Sequence, residues 1–136
     1  MAKWPARVVP TNAGNAAGVG RGLPDIAMDA DPQTGAIIYV AGQQTVIGGT
    51  SLSSPLALGV WARLESAHGN TLGFASPRLY ALYPKSATPP TSQLTYPPYP
   101  LHDIIVGNNG AYDATPGWDY TTGLGSYSVG RVNRAL

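Results

Sequence analysis

Residues 47–64, IGGTSLSSPLALGVWARL, change abruptly from one backbone regime to another. Ahead of Gly48 and Gly49 the chain is β-branched. Beyond Thr50 and Ser51 its apolar residues fall at helical spacing, and Pro55 is expected in the helix's first turn, where proline is best tolerated. Any fold for this chain must therefore accommodate a strand that turns on two glycines straight into a helix. Leu52, Leu56, Leu58, Val60, Trp61 and Leu64 cover most of that helix's circumference, so it is expected to be buried on several sides. His68 and Gly69 end it.

The same logic extends outward. LPDIAM, from Leu23, reads as a short buried strand entered through Pro24, and DADPQTG as a turn. AIIYVAG and QQTVIGG are β-branched runs separated by Gly42 and Gln43, the pattern of a hairpin. ASPRLYALYP predicts a second helix with Ser76 as N-cap, Pro77 at its first position and Pro84 beyond its end. From residue 85 to 100 Pro, Ser and Thr dominate, as in an extended surface loop. A short C-terminal helix is expected from Val129. With 136 residues the chain reads as a single unit.

Composition excludes several function classes. Charged residues are 11% of the chain, against roughly 25% in an average domain. Its net charge is +1, with basic residues too scattered to track a phosphate backbone, which argues against nucleic acid as a partner. The absence of cysteine rules out disulfides and thiolate metal sites. No stretch has the length of a membrane span or a signal peptide.

Ser51 sits where a nucleophile would be well served. A glycine turn delivers it to a helix N-terminus, whose N–H groups favour developing negative charge. A serine or threonine at a helix start is also the commonest cap, and both readings stand at this level. Around the serine, three stretches resemble those of one family in order and spacing. They are Gly-Gly-Thr-Ser with Pro55 following, GRGLPDIAMDADPQTG (20–35), and HDIIVGNNGAYDATPGWDYTTGLGS (102–126). The chain is identified as a member of the sedolisins, the serine-carboxyl peptidases. The resemblance implies the C-terminal portion of an α/β, subtilisin-like fold: a largely parallel sheet, a buried helix after the serine and a calcium-binding loop. Subtilisin-type sequences share Gly-Thr-Ser but typically have His after the proline, where this chain has Leu56, and their histidine base lies upstream. Here His68 and His102 both lie downstream.

The resemblance implies Ser51 as the catalytic nucleophile, peptide or protein substrates, and secretion of the full enzyme. It also implies a glutamate base, an aspartate positioning it and an oxyanion aspartate, all upstream of the serine. Glu65, the only glutamate, follows Ser51 on the same helix by nearly four turns and is expected to be a solvated surface charge. Asp25 is expected to be structural, and Asp29 and Asp31 to form turns. The chain is thus expected to need the N-terminal part of a catalytic domain as its partner, whether it is an excised piece, a processed chain or a truncated reading frame. One calcium ion is implied, bound by the carboxylates of Asp103 and Asp119 and the carbonyls of Ile104, Thr115 and Gly117. Calcium favours such a mixture of hard oxygens. The family often has Gly where Thr115 stands. The alternative for this tail is a hairpin around Asn109-Gly110, with Asp113 and Asp119 as turn residues. A different class of function also fits the missing carboxylates, namely a non-catalytic, calcium-stabilised module that binds peptides or partners.

Overall fold

The structure is a computed structural model, and it describes residues 22–83 and 99–136. The 85–100 loop therefore lies mainly outside the described residues. The chain divides into two compact units, Ala27–Gly73 and the combination of Met1–Ile26 with Phe74–Leu136.

In Ala27–Gly73 the chain first turns on its own side chains. Asp31 Oδ1 accepts the Gln33 N–H at 2.8 Å, and Asp29 Oδ1 accepts the Thr34 hydroxyl at 3.2 Å. Strand β1 (Ala36–Val40) then pairs antiparallel with β2 (Gln43–Ile47), from Ala36 opposite Ile47 to Val40 opposite Gln43. Ala41 and Gly42 form the connection, with φ of 51° and 77°, the sign demanded where a two-residue turn must match strand twist. The break lies one residue earlier than the sequence suggested, because Gln43 already pairs with Val40. Helix α1 (Thr50–Ala67) follows, beginning early enough that Pro55 lies inside it rather than in its first turn, and its only fully buried residues are Leu52 and Leu64. The expected burial on several sides is not met: Leu56 and Leu58 are exposed, because nothing among the described residues covers that part of the helix.

The other unit packs α2 (Ala75–Leu82), the short pair β3 (Leu101–His102) and β4 (Ser126–Tyr127), and α3 (Val129–Ala135). Leu79, Tyr80, Leu82, Leu101, Trp118, Leu124 and Val132 form its core. Helix α2 begins one residue before Ser76, with Phe74 as its N-cap and no side-chain cap. The Ser76 hydroxyl is instead drawn to Asp25, at 3.1 Å. Residues 23–28 form no strand either. Their backbone oxygens serve single donors, Pro24 the Trp118 indole and Asp25 the Leu124 N–H, which leaves no ladder to join. Both ladders among the described residues are antiparallel. A parallel pair would need a partner strand reached through a long crossover.

Candidate functional site

Ser51 is the second residue of α1 and is exposed. Its position follows from Gly49, the N-cap, whose φ of 77° and ψ of 177° lie in a region essentially reserved for glycine. The Gly49 N–H is anchored on the Ala30 carbonyl at 2.6 Å, which ties the strand exit to the turn before the hairpin. No side chain caps α1. The capping alternative for Thr50 and Ser51 therefore fails, and the Ser51 hydroxyl stands outside the helix's own hydrogen bonding.

The three carboxylates of the same unit are engaged elsewhere. Asp29 and Asp31 hold the turn, as the sequence indicated. Glu65 is half-buried and does more than carry a solvated charge: Oε2 accepts the Leu72 N–H at 3.1 Å and Oε1 the Gly73 N–H at 2.7 Å. The Trp61 indole donates to the Gly73 carbonyl at 3.0 Å. Together they fasten the segment after α1 back onto the helix. The sequence held one signal for this, a lone glutamate just ahead of a glycine-bounded loop whose N–H groups need acceptors.

The five residues that the resemblance singled out in the tail lie in the other unit. The negative charge of Asp119 acts on Asp103. Asp103 Oδ2 accepts the Gly117 N–H at 2.7 Å. Asp119 is buried and receives the Thr115 N–H on Oδ2 at 2.9 Å, and the Thr121 and Thr122 N–H groups on Oδ1 at 2.9 and 2.7 Å. Among the described residues, Asp103 Oδ1 is buried with no hydrogen-bond partner. Burial raises the Asp103 pKa above its ordinary value and the Asp119 charge adds to this, while the Gly117 N–H and His102 oppose it. None of the hydrogen bonds that close this loop ends on the carbonyls of Ile104, Thr115 or Gly117. Asn109-Gly110 does turn a small hairpin, in which Asn108 bridges Asp113 and Asn109 Oδ1 accepts the Ala111 and Tyr112 N–H groups. Asp119 is also a turn residue, its Oδ1 accepting the Thr121 and Thr122 N–H groups, but its turn is buried and separate from that exposed tip. Among the described residues no three His, Cys, Asp or Glu side chains gather around one point.

No family model matches the chain. It is 44% identical over 115 residues to sedolisin of Pseudomonas sp. (strain 101), covering 82% of the chain and 18% of that protein. Kumamolisin of Bacillus sp. (strain MN-32) is 41% identical over the whole chain, which spans 23% of it. Xanthomonalisin of Xanthomonas sp. (strain T-22) is 40% identical over 81% of the chain, 12% of the relative. Similarity of this depth over most of the sequence makes the chain a segment of a peptidase family. That family is the sedolisins, the serine-carboxyl peptidases. The chain spans less than a quarter of the length of these relatives.

Proposed function

We propose that Ser51 is the nucleophile of a serine-carboxyl endopeptidase, attacking the peptide carbonyl to form an acyl-enzyme. The observation that carries this reading is an exposed serine hydroxyl, uncommitted to capping, at the N-terminus of α1 behind a Gly49 whose backbone few other residues could adopt. A serine needs a base for its proton and donors for the oxyanion. The helix start supplies N–H groups; the base and the oxyanion aspartate are assigned to the N-terminal part of the catalytic domain. The full enzyme is proposed to be secreted and to act in acid, where a chain with few carboxylates gains little new repulsion. Among the described residues no helix is long and apolar enough to cross a membrane. In the complete domain, Ser51→Ala is expected to abolish turnover with the fold retained, and retained hydrolysis would rule the role out.

One calcium ion is proposed for the tail, held by the Asp103 and Asp119 carboxylates and the carbonyls of Ile104, Thr115 and Gly117. The donor set suits it: all oxygens, two of them anionic side chains. The partnerless buried oxygen of Asp103 favours an ion over a purely hydrogen-bonded turn. The ion would supply structural charge neutralisation at the loop. Protons compete for these carboxylates, and burial already favours protonated Asp103, so the affinity is expected to fall as pH falls.

A second reading is a calcium-stabilised module that binds peptides without cleaving them. The commitment of Glu65, Asp29 and Asp31 to structural bonds favours it for the chain on its own. Phosphonylation of Ser51 in the complete domain by a serine-directed phosphonate ester, whose leaving group departs as the Ser51 oxygen bonds to phosphorus, would decide for the enzyme if it is absent after Ser51→Ala.

A further inference from the structure

Asp25 is neither the proposed nucleophile nor a proposed metal ligand, yet α2 and the tail of its unit both bond to it. Its Oδ1 accepts the Tyr80 hydroxyl at 2.8 Å and its Oδ2 the Ser76 hydroxyl at 3.1 Å, two donors one turn apart on α2. Its backbone carbonyl accepts the Leu124 N–H at 2.8 Å. The preceding carbonyl, of Pro24, accepts the Trp118 indole at 3.1 Å. The residues so gripped, Trp118 and Leu124, flank Asp119 and the turn that carries it. That turn is closed by reciprocal bonds between Asp119 and Gly123, at 3.0 and 3.3 Å. Gly123 has φ of +62°, and a Cβ there would lie 2.5 Å from the Asp25 carbonyl carbon and oxygen, so the turn rests directly on the Asp25 peptide.

We infer that Asp25 is a positioning residue for the metal loop: its carboxylate, clamped by Ser76 and Tyr80, fixes the peptide against which the Trp118–Leu124 turn sets the direction of the Asp119 carboxylate. The inference rests on the calcium reading above. A hard cation rewards oxygens already pointed at it, and groups that orient a ligand from behind typically change affinity about 10- to 100-fold when removed. The bonds described from Asp25 end on Ser76, Tyr80 and the Leu124 N–H, so the brace reaches the loop through the backbone of residues 118–124.

The test is titration of the 136-residue chain with terbium, a calcium stand-in whose luminescence is sensitised by the neighbouring Trp118, together with melting curves with and without calcium. Asp25→Ala is expected to raise the terbium Kd about tenfold and to shrink the calcium-induced rise in melting temperature. Asp25→Asn keeps an acceptor for Tyr80 and a polar partner for Ser76, and should recover most of both. Asp31→Ala, in the exposed turn of the other unit, should leave the affinity alone. A merely structural role would lower the metal-free melting temperature while preserving the terbium Kd and the calcium-induced rise, and that result overturns the inference. If Asp25→Ala does not fold, Ser76→Ala and Tyr80→Phe decide: several-fold weaker binding in both supports the brace, and wild-type binding in both overturns it. Wild-type chain that binds neither terbium nor calcium removes the metal reading itself and the inference with it, an outcome distinct from normal wild-type binding that the variants leave unchanged.

Discussion

At the scale of single residues, Tyr127 gives the most direct pH signature. Its phenol is pushed up to about 12, first by burial and then by the negative charge of Asp25. The ordinary value is 10.0, so between these limits the unfolded chain has released the proton while the folded chain still holds it. The neutral phenol's contribution to stability is therefore full below pH about 10 and is lost as pH rises towards 12. A tyrosine absorbance titration should lose a late-ionising component in Tyr127→Phe, and Asp25→Asn should move that component back towards the ordinary range. A phenol titrating with the others in the folded chain would contradict the burial and charge argument. Gly49 is equally exposed to test. At φ 77° and ψ 177° an alanine is strained, so Gly49→Ala is expected to destabilise by about 1–3 kcal/mol, read as a lower melting temperature.

At the scale of elements, Glu65 binds the end of α1 to the segment that follows it. Glu65→Ala removes two charge-assisted bonds from the Leu72 and Gly73 N–H groups, a loss of about 1–3 kcal/mol, and hydrogen exchange at those two amides should accelerate. Unchanged exchange there would show that the loop holds itself. Elements set by local pattern were legible in advance: the β1–β2 hairpin by β-branched runs around a turn, α1 by its apolar spacing, and α3 by the end of the glycine punctuation. Elements set by distant partners were not. Ser76 looked like a cap because serine usually is one, but its hydroxyl meets an acceptor 51 positions away in sequence. Residues 23–28 have a strand's composition, yet single bonds to Trp118 and Leu124 hold them outside any ladder. The tail was divided between these cases. Its local hairpin follows from Asn109-Gly110, whereas the approach of Asp103 to Asp119 was implied only by the family resemblance, since no spacing rule links two aspartates sixteen positions apart.

At the scale of the whole molecule, the surface of Ala27–Gly73 bears on the proposed N-terminal partner. Ile37 and Tyr39 on β1 lie opposite Val46 and Gln44 on β2, so one hairpin face carries three large apolar side chains, of which Ile37 is 62% and Tyr39 71% exposed. Leu58 on α1 is 68% exposed. Residues 36–47 contain no charge to blunt the strand edges, and among the described residues each strand is paired on one side only. Apolar surface and open edges together are a docking or aggregation liability in isolation. The chain on its own is therefore expected to bind a hydrophobic dye and to associate as its concentration rises, whereas charged substitutions at Ile37 and Tyr39 should suppress both. Catalysis should follow the same division. If the base lies in the N-terminal part, as proposed, Ser51 keeps its proton in the isolated chain, and general-base assistance alone is worth about 10²–10⁴-fold in rate. Mixing the chain at acidic pH with a separately prepared N-terminal part of a sedolisin catalytic domain should produce hydrolysis that neither piece shows alone, together with loss of dye binding and of sensitivity to Ile37→Lys. Hydrolysis by the chain alone would place a base within its own residues and overturn the assignment of that role to the missing part. Hydrolysis absent from a mixture in which the two parts demonstrably associate would instead favour the non-catalytic module.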